Sequence, residues 1–183
     1  MTKARLVGTL LTLATALVLA LPAPAPAAQD IFLEIDGIPG ESQDARHKDA
    51  IEVLSFSWGV AATRSRPDFQ DLSVTKRVDR ASPLLFVHAA RGQAVPAAVL
   101  SVRAAGERPD DFLDYCLTNV RVTAVSTSGG TGDDRPTEQV SLSYGTFFET
   151  YRMQSPDGTL GEVFTGGWNV VDNLLLGVRP AAC

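Results

Sequence analysis

The sequence predicts an all-β domain, a two-sheet β-barrel or sandwich with one short flanking α-helix. Three observations support this class. Alternating apolar and polar residues recur in seven or eight short segments, turn residues separate these segments, and the period becomes helical only once. Short strands joined in this way are typical of sandwiches and barrels. The clearest alternation lies within residues 120–151, which read as a long hairpin.

Residues 1–27 are set aside from the fold because they have the order of a secretory signal peptide. Lys3 and Arg5 precede an apolar run over residues 6–21, and a Pro- and Ala-rich stretch follows. The run is shorter than the roughly 20 residues that span a bilayer as a helix, which disfavours a membrane anchor. Ala25 and Ala27 predict cleavage after Ala27. Residues 28–183 then form a single domain, secreted or periplasmic.

The charge of the chain limits its partners. The 183 residues carry a net charge of −5, which becomes more negative once Lys3 and Arg5 are removed. Nucleic acid and anionic lipid both attract clustered Lys and Arg, which an acidic surface does not offer. We therefore expect no nucleic-acid partner, and no membrane association after cleavage of the signal peptide.

The first half of the mature chain is predicted to contain three strands, over residues 31–36, 51–62 and 70–78. Residues 41–50 are dense in charge and predict a solvated loop. His47 in that loop is interpreted as a surface or hydrogen-bonding residue rather than a metal ligand or a base. The predicted inward side chains are Leu54, Phe56, Trp58 and Val60 in the second strand and Leu72, Val74 and Val78 in the third.

One helix is predicted over residues 84–91. Ser82 and Pro83 have the order of an N-cap and a first-turn residue, and Gly92 is placed to end the helix. His88 lies on this helix between apolar residues and is interpreted as a core or rim histidine.

The second half of the mature chain is again predicted to form strands. We predict strands over residues 94–105 and 112–127, a second hairpin arm after a Gly- and Asp-rich connection, and a last strand at W-N-V-V-D-N, residues 168–173. The predicted inward side chains of the hairpin are Val120, Val122 and Ala124 in the first arm and Val140, Leu142, Tyr144 and Phe148 in the second.

The two cysteines, Cys116 and Cys183, leave three alternatives open. An even number in an exported protein permits an intramolecular disulfide. Cys183 is the last residue and could instead reach another subunit, and Cys116 could be a buried free thiol.

Signatures of catalysis are absent from the sequence. It contains no nucleophile elbow, zinc-protease motif or phosphate-binding loop, and its two histidines lie far apart. Asp133, Asp134 and Glu138 are the acidic residues to consider for calcium or for a glycosidase pair. Their place beside a Gly-rich connection favours a hairpin tip instead. We predict no enzymatic activity, no cofactor and no metal.

Six short segments occur in an order that resembles the haemolysin-coregulated protein (Hcp) family, the tube proteins of type VI secretion. Each segment alone is a few residues of common turn or strand chemistry, but together they extend over nearly the whole mature chain. They are G-E-S at 40–42, I-E-V-L-S-F-S-W-G at 51–59, D-L-S-V-T-K-R-V-D at 71–79, S-P-L-L at 82–85, S-T-S-G-G-T-G-D-D-R-P-T-E at 126–138 and G-W-N at 167–169.

The resemblance implies a two-sheet barrel with a flanking helix and a structural rather than catalytic function. It also implies a homo-hexameric ring, stacking of rings into a tube, and a lumen that holds small secreted effector proteins. The hairpin and its connection are the expected assembly surface. Its candidate residues are Ser126, Asp133, Asp134, Arg135, Glu138, Ser141 and Ser143.

An alternative function belongs to a different class: a secreted monomeric binding module that has kept the barrel and lost ring or tube assembly. Two features favour it. A signal peptide would export the chain before it joined a tube built in the cytosol, and the connection at residues 63–68 is shorter than the Gly-rich loop often found there in the family.

Overall fold

In the computed structural model, the described residues are 29–104, 110–155 and 158–183. Within these ranges the chain forms eleven strands and one α-helix. The predicted signal peptide lies outside the described residues. The elements are β1 Gln29–Ile35, β2 Ile51–Ser57, β3 Val60–Ala61, β4 Asp68–Phe69, β5 Leu72–Arg77, α1 Ser82–Arg91, β6 Ala94–Ala104, β7 Asp111–Ser128, β8 Thr137–Ser143, β9 Thr146–Gln154, β10 Leu160–Asn169 and β11 Leu174–Leu175.

Six antiparallel strands close into a barrel. Their order is β7-β6-β1-β2-β5-β8, and β8 pairs back with β7. The barrel closes because β7 is long enough to have two partners on the same side. Its first half pairs with β9 and its second half with β8. Strands β9, β10 and β11 therefore leave the barrel as a three-stranded extension. The predicted all-β class with one short helix is confirmed.

The barrel interior is filled by apolar side chains that alternate along the strands, as expected for half-buried strands. The helix α1 contacts β7 and contributes Leu85, which is 1% exposed. The most deeply buried apolar strand residues, each at most 1% exposed, are Leu33, Ile51, Leu72, Val74, Ala98, Leu100, Cys116, Leu117, Val120, Val140 and Leu142.

The start of the helix differs from the prediction. Ala81 is the N-cap residue and makes no side-chain capping bond, whereas Ser82 is already helical. The hydroxyl of Ser82 is instead turned to a buried network described below. The end is as predicted: Gly92 has a left-handed φ of 59° and donates its N–H to the Ala89 carbonyl.

Two β-bulges make part of the predicted inward face wrong. In β2 Ile51 and Val53 are buried, so Leu54 points outward and is 51% exposed. The register shift between Val53 and Ser55 then turns Phe56 back toward the core, opposite Val74. In β7 the register with β8 shifts between Val122 and Ala124, and Ala124 is exposed. An extra residue on one strand reverses the alternation that follows it.

The second hairpin arm is two strands rather than one. It breaks at Tyr144 and Gly145, between β8 and β9. A side chain at Gly145 would lie only 3.1–3.2 Å from Asn119, so glycine permits this close approach to β7. The break lets the chain leave β8 and continue along the first half of β7.

The predictions for residues 41–50 and 168–173 hold only in part. The first segment is a loop, as predicted, but it is not fully solvated, since Ser42, His47 and Ala50 are buried in it. In the second, Trp168 and Asn169 end β10 and residues 170–173 form a turn before β11. The predicted last strand is therefore the end of a longer one.

Candidate assembly surface

The tip of the β7–β8 hairpin, residues 129–136, is exposed and organised by polar contacts. Asp133 accepts a hydrogen bond from the Gly130 N–H at 2.7 Å, which closes the turn. Arg135 lies 3.6 Å from Glu41, and Asp134 lies 3.7 Å from Arg77 with its side chain 85% exposed. The tip thus contacts the 41–50 loop, and it presents charges of both signs to solvent.

Glu138 does not belong to this surface. Its side chain is 2% exposed, because residues 138, 140 and 142 all point into the barrel. The expectation that it lies on an assembly surface is therefore wrong. Its burial also separates it from Asp133 and Asp134, so the structure does not bring the three carboxylates together. Within the described residues no group of three or more His, Cys, Asp or Glu side chains is placed to hold a metal ion.

The partner of Glu138 is Lys76, a buried cation that the sequence analysis missed. Its Nζ donates to Glu138 Oε2 at 3.0 Å, to Asp79 Oδ1 at 2.7 Å and to Ser82 Oγ at 3.1 Å. Ser82 Oγ donates in turn to Glu138 at 2.6 Å. All three ammonium donors are satisfied. The network joins β5, β8 and the start of α1.

The outer faces of β5, β8 and the second half of β7 carry small polar side chains in register. Ser73 lies opposite Ser141, which lies opposite Ala124. One layer along, Thr75, Gln139 and Ser126 are aligned in the same way. We call this surface the hydroxyl face, and it also includes Ser143. Its side chains are exposed or half-buried. The alternation predicted this for β5 and β8, whereas in β7 the bulge turns Ala124 outward against the prediction.

The 41–50 loop is held to the barrel by His47. The imidazole stacks on Phe32 with ring centroids 4.5 Å apart. Nδ1 lies 2.9 Å from Glu34 Oε1 and Nε2 lies 3.0 Å from Asp111 Oδ1. Burial disfavours the charged imidazole, but the bonds to the two carboxylates outweigh it and raise the pKa of His47 above its usual value.

Arg103 also contacts Phe32 and holds the same loop. Its guanidinium lies 4.8 Å from the Phe32 ring centroid and donates to both oxygens of Asp44, at 3.1 and 2.6 Å. The hydrogen bond from Arg103 lowers the pKa of Asp44. Asp44 also accepts from the backbone N–H groups of Arg46 and His47, so the loop is ordered and attached to β6.

The three-stranded extension exposes apolar side chains that the sequence analysis did not select. Tyr151 stacks on Phe164 with centroids 6.3 Å apart, yet both remain partly exposed. The sequence could have predicted this exposure, since apolar residues appear on both faces of β10 and again in the last ten residues. The exposed apolar residues of the extension and its tail, from 39 to 78% exposed, are Tyr151, Met153, Val163, Phe164, Val171, Leu174, Leu175 and Val178.

The extension also ends in an open strand edge. β11 pairs only with Trp168 and Asn169 of β10. No described strand pairs with the rest of the outer edge of β10, where the exposed residues Val163 and Phe164 lie. An edge of this kind offers unpaired backbone groups to another chain.

A disulfide joins Cys116 to Cys183, with the two Cα atoms 5.9 Å apart. Of the three alternatives left by the sequence, the structure contains the intramolecular one. Cys116 is fully buried in the first half of β7, between β6 and β9. The last residue of the chain is therefore covalently attached to the barrel wall.

Among the described residues no helix has the length and apolarity needed to cross a membrane.

Comparison with known proteins decides the family. Residues 32–151 match the family described as "Type VI secretion system effector, Hcp". The chain belongs to the Hcp family. Its relative hcp1 from Pseudomonas aeruginosa strain PAO1 is 36% identical over 159 residues, covering 80% of this chain and 98% of that protein. The resemblance stated from the six segments is confirmed.

Solved Hcp structures share the fold. The crystal structure of Hcp1 from Salmonella typhimurium is 38% identical, with a TM-score of 0.73, and covers 81% of this chain and 99% of that one. A type VI secretion system effector from Yersinia pestis is 31% identical, with a TM-score of 0.68, over 77% of this chain and 100% of that one. The chain is thus homologous to a structural component of the type VI secretion system.

Proposed function

We propose that the mature chain is an exported structural protein that assembles with copies of itself into a closed, hexameric Hcp-type ring. The observation that carries the proposal is the extension, which combines eight exposed apolar side chains with an open strand edge. Exposed apolar side chains beside an unpaired strand edge are typical of an interaction site. Head-to-tail contacts between identical chains close into rings when the rotation permits.

The hydroxyl face supports a second part of the proposal. Small polar side chains such as Ser141 and Ser143 offer hydrogen bonds without a deep apolar pocket, which suits a wall that holds different protein cargo weakly. We therefore assign the hydroxyl face to the ring lumen and small secreted effector proteins to the space inside. The ring itself performs no chemical step.

Export is supported by the predicted signal peptide and by the disulfide, because disulfides persist outside the reducing cytosol. Expression of the full chain with its own N-terminus, followed by mass spectrometry of the secreted protein, tests this part. We expect a mature N-terminus at Ala28. Retention of residues 1–27 on the secreted protein would contradict it.

Assembly is tested by size-exclusion chromatography with light scattering on residues 28–183, followed by electron microscopy. We expect a hexamer and ring-shaped particles. The double variant Val163→Asp/Phe164→Asp should be monomeric, because it places charges on the open edge strand. The matched control is Val87→Asp on α1, where the wild-type side chain is similarly exposed at 42%. This control should remain assembled.

A strictly monomeric wild-type chain over a wide range of concentrations would contradict the ring. A monomer that retains a stable partner from culture medium would instead favour the secreted binding module.

A further inference from the structure

The C-terminal tail, residues 176–183, is attached to the barrel mainly by its last residue. Cys183 forms the disulfide with Cys116, which is fully buried in β7. The sulfur–sulfur bond closes a loop with a sequence separation of 67 residues. That loop contains the rest of β7 and all of β8 to β11. The bond therefore fixes the end of the extension relative to the barrel.

Few other described contacts hold the tail. β11 contributes two paired residues, and the Leu176 N–H donates to Gly167 at 3.0 Å. Arg179 lies 3.9 Å from Asp114, at the limit of an ion pair. Leu174 and Leu175 are 62 and 75% exposed, and Val178 is 78% exposed. β11 and Val178 thus bury little of their apolar surface in the monomer, and the noncovalent contacts alone order β11 and the tail weakly.

We propose, on the basis of the ring assembly proposed above, that the Cys116–Cys183 disulfide is a redox switch for that assembly. In the oxidised chain the bond holds β11 and the tail in place, so that Leu174 and Leu175 form part of the surface that contacts the next subunit. In the reduced chain the tail separates from β10. The entropic cost of ordering the tail again then weakens association between subunits.

The chemistry of the switch is thiol–disulfide exchange. Each thiol loses one proton and one electron as the S–S bond forms. A small-molecule or protein disulfide accepts both electrons and both protons and leaves as two thiols. The reducing cytosol keeps both cysteines as thiols, so a chain destined for export stays unassembled there. Oxidation after export then completes the assembly surface.

The test compares three samples of residues 28–183 by sedimentation velocity: the oxidised chain, the chain reduced with a phosphine, and Cys183→Ser. We expect the oxidised chain to be assembled. The reduced chain and the variant should be monomeric, with an unchanged far-ultraviolet circular dichroism spectrum. Reoxidation of the reduced chain with oxidised glutathione should restore assembly, whereas Cys183→Ser should not respond.

A second variant separates the surface from the fold. Leu174→Asp/Leu175→Asp keeps the disulfide but places charges on β11, and we expect it to be monomeric even when oxidised. Leu54→Asp is the matched control, since Leu54 is exposed to 51% on β2. The switch would be overturned if the reduced chain, Cys183→Ser or the β11 variant assembled to the same extent as the oxidised wild type. The proposal of a ring would still stand in that case. A wild type that is monomeric in both redox states would overturn the ring and the switch together.

Discussion

Lys76 and Glu138 form an ion pair inside the barrel. Nζ and Oε2 lie 3.0 Å apart, and the two side chains are 0 and 2% exposed. Asp79, at 8% exposure, accepts from the same ammonium. A buried ion pair of this kind is weak evidence for stability in itself, but removal of one partner leaves an uncompensated charge.

Lys76→Met should therefore destabilise the chain by about 3–5 kcal/mol, because the carboxylates of Glu138 and Asp79 stay buried without their cation. Urea unfolding measures this loss. Arg77→Met is the matched control, since the Arg77 side chain is 52% exposed and its pair with Asp134 is long. That control should change stability by less than about 1 kcal/mol.

Adding Glu138→Leu to Lys76→Met should recover part of the loss, because one of the unpaired carboxylates is removed. A double variant as unstable as the sum of both single variants would contradict this explanation.

His47 should make stability depend on pH near neutrality. Both ring nitrogens face carboxylates, so both bonds form only when the imidazole is protonated. The pKa of His47 is raised in the folded chain. The resulting stabilisation is complete below the unfolded pKa of about 6.5 and is lost as the pH rises through the folded pKa.

Urea unfolding over a series of pH values tests this dependence. We expect the wild type to lose stability relative to His47→Gln as the pH rises above about 6.5. Lys48→Gln, on the exposed side of the same loop, is the control and should keep the wild-type profile. Parallel profiles for the wild type and His47→Gln would show that His47 is not the titrating group.

Gly40 should not tolerate a side chain. An added Cβ would lie 2.3 Å from the Ala50 carbonyl oxygen and 2.6 Å from the Ile51 Cα, both of them backbone atoms. Gly40→Ala should cost about 1–3 kcal/mol by forcing the loop away from the start of β2. Thermal or urea unfolding measures the change. Gly177→Ala is the control, because nothing lies within 4 Å of its added Cβ, and it should be close to neutral.

Bulky side chains on the hydroxyl face test its assignment to the lumen. Ser141→Trp/Ser143→Trp should fold normally, because both serines point away from the core. We expect it to bind less cargo protein and to show a narrower central opening by electron microscopy. Ser65→Trp, in the exposed connection between β3 and β4, is the control. Unchanged rings with unchanged cargo binding would contradict the lumen assignment and show that the hydroxyl face is ordinary solvent-exposed surface.

The buried network shows where prediction from sequence was incomplete. Leu72, Val74 and Lys76 have the spacing of one strand face, as do Glu138, Val140 and Leu142, so each charge could have been placed inward by alternation. What brings Lys76 opposite Glu138 is the pairing of β5 with β8 across 62 residues. No local pattern contains that pairing, and the polar residues around Glu138 predicted a surface position for it instead.

The sequence by itself determined the all-β class, the helix ending at Gly92, the polar outer side of β8 and membership of the Hcp family. Each depends on local chemistry or on the order of short segments. Only the tertiary structure decided which way Phe56 and Ala124 point, because the bulges before them reverse the alternation of the strand. It also decided the pairing of Cys116 with Cys183 and the exposure of the extension. Both depend on the point along β7 at which its pairing partner changes from β9 to β8.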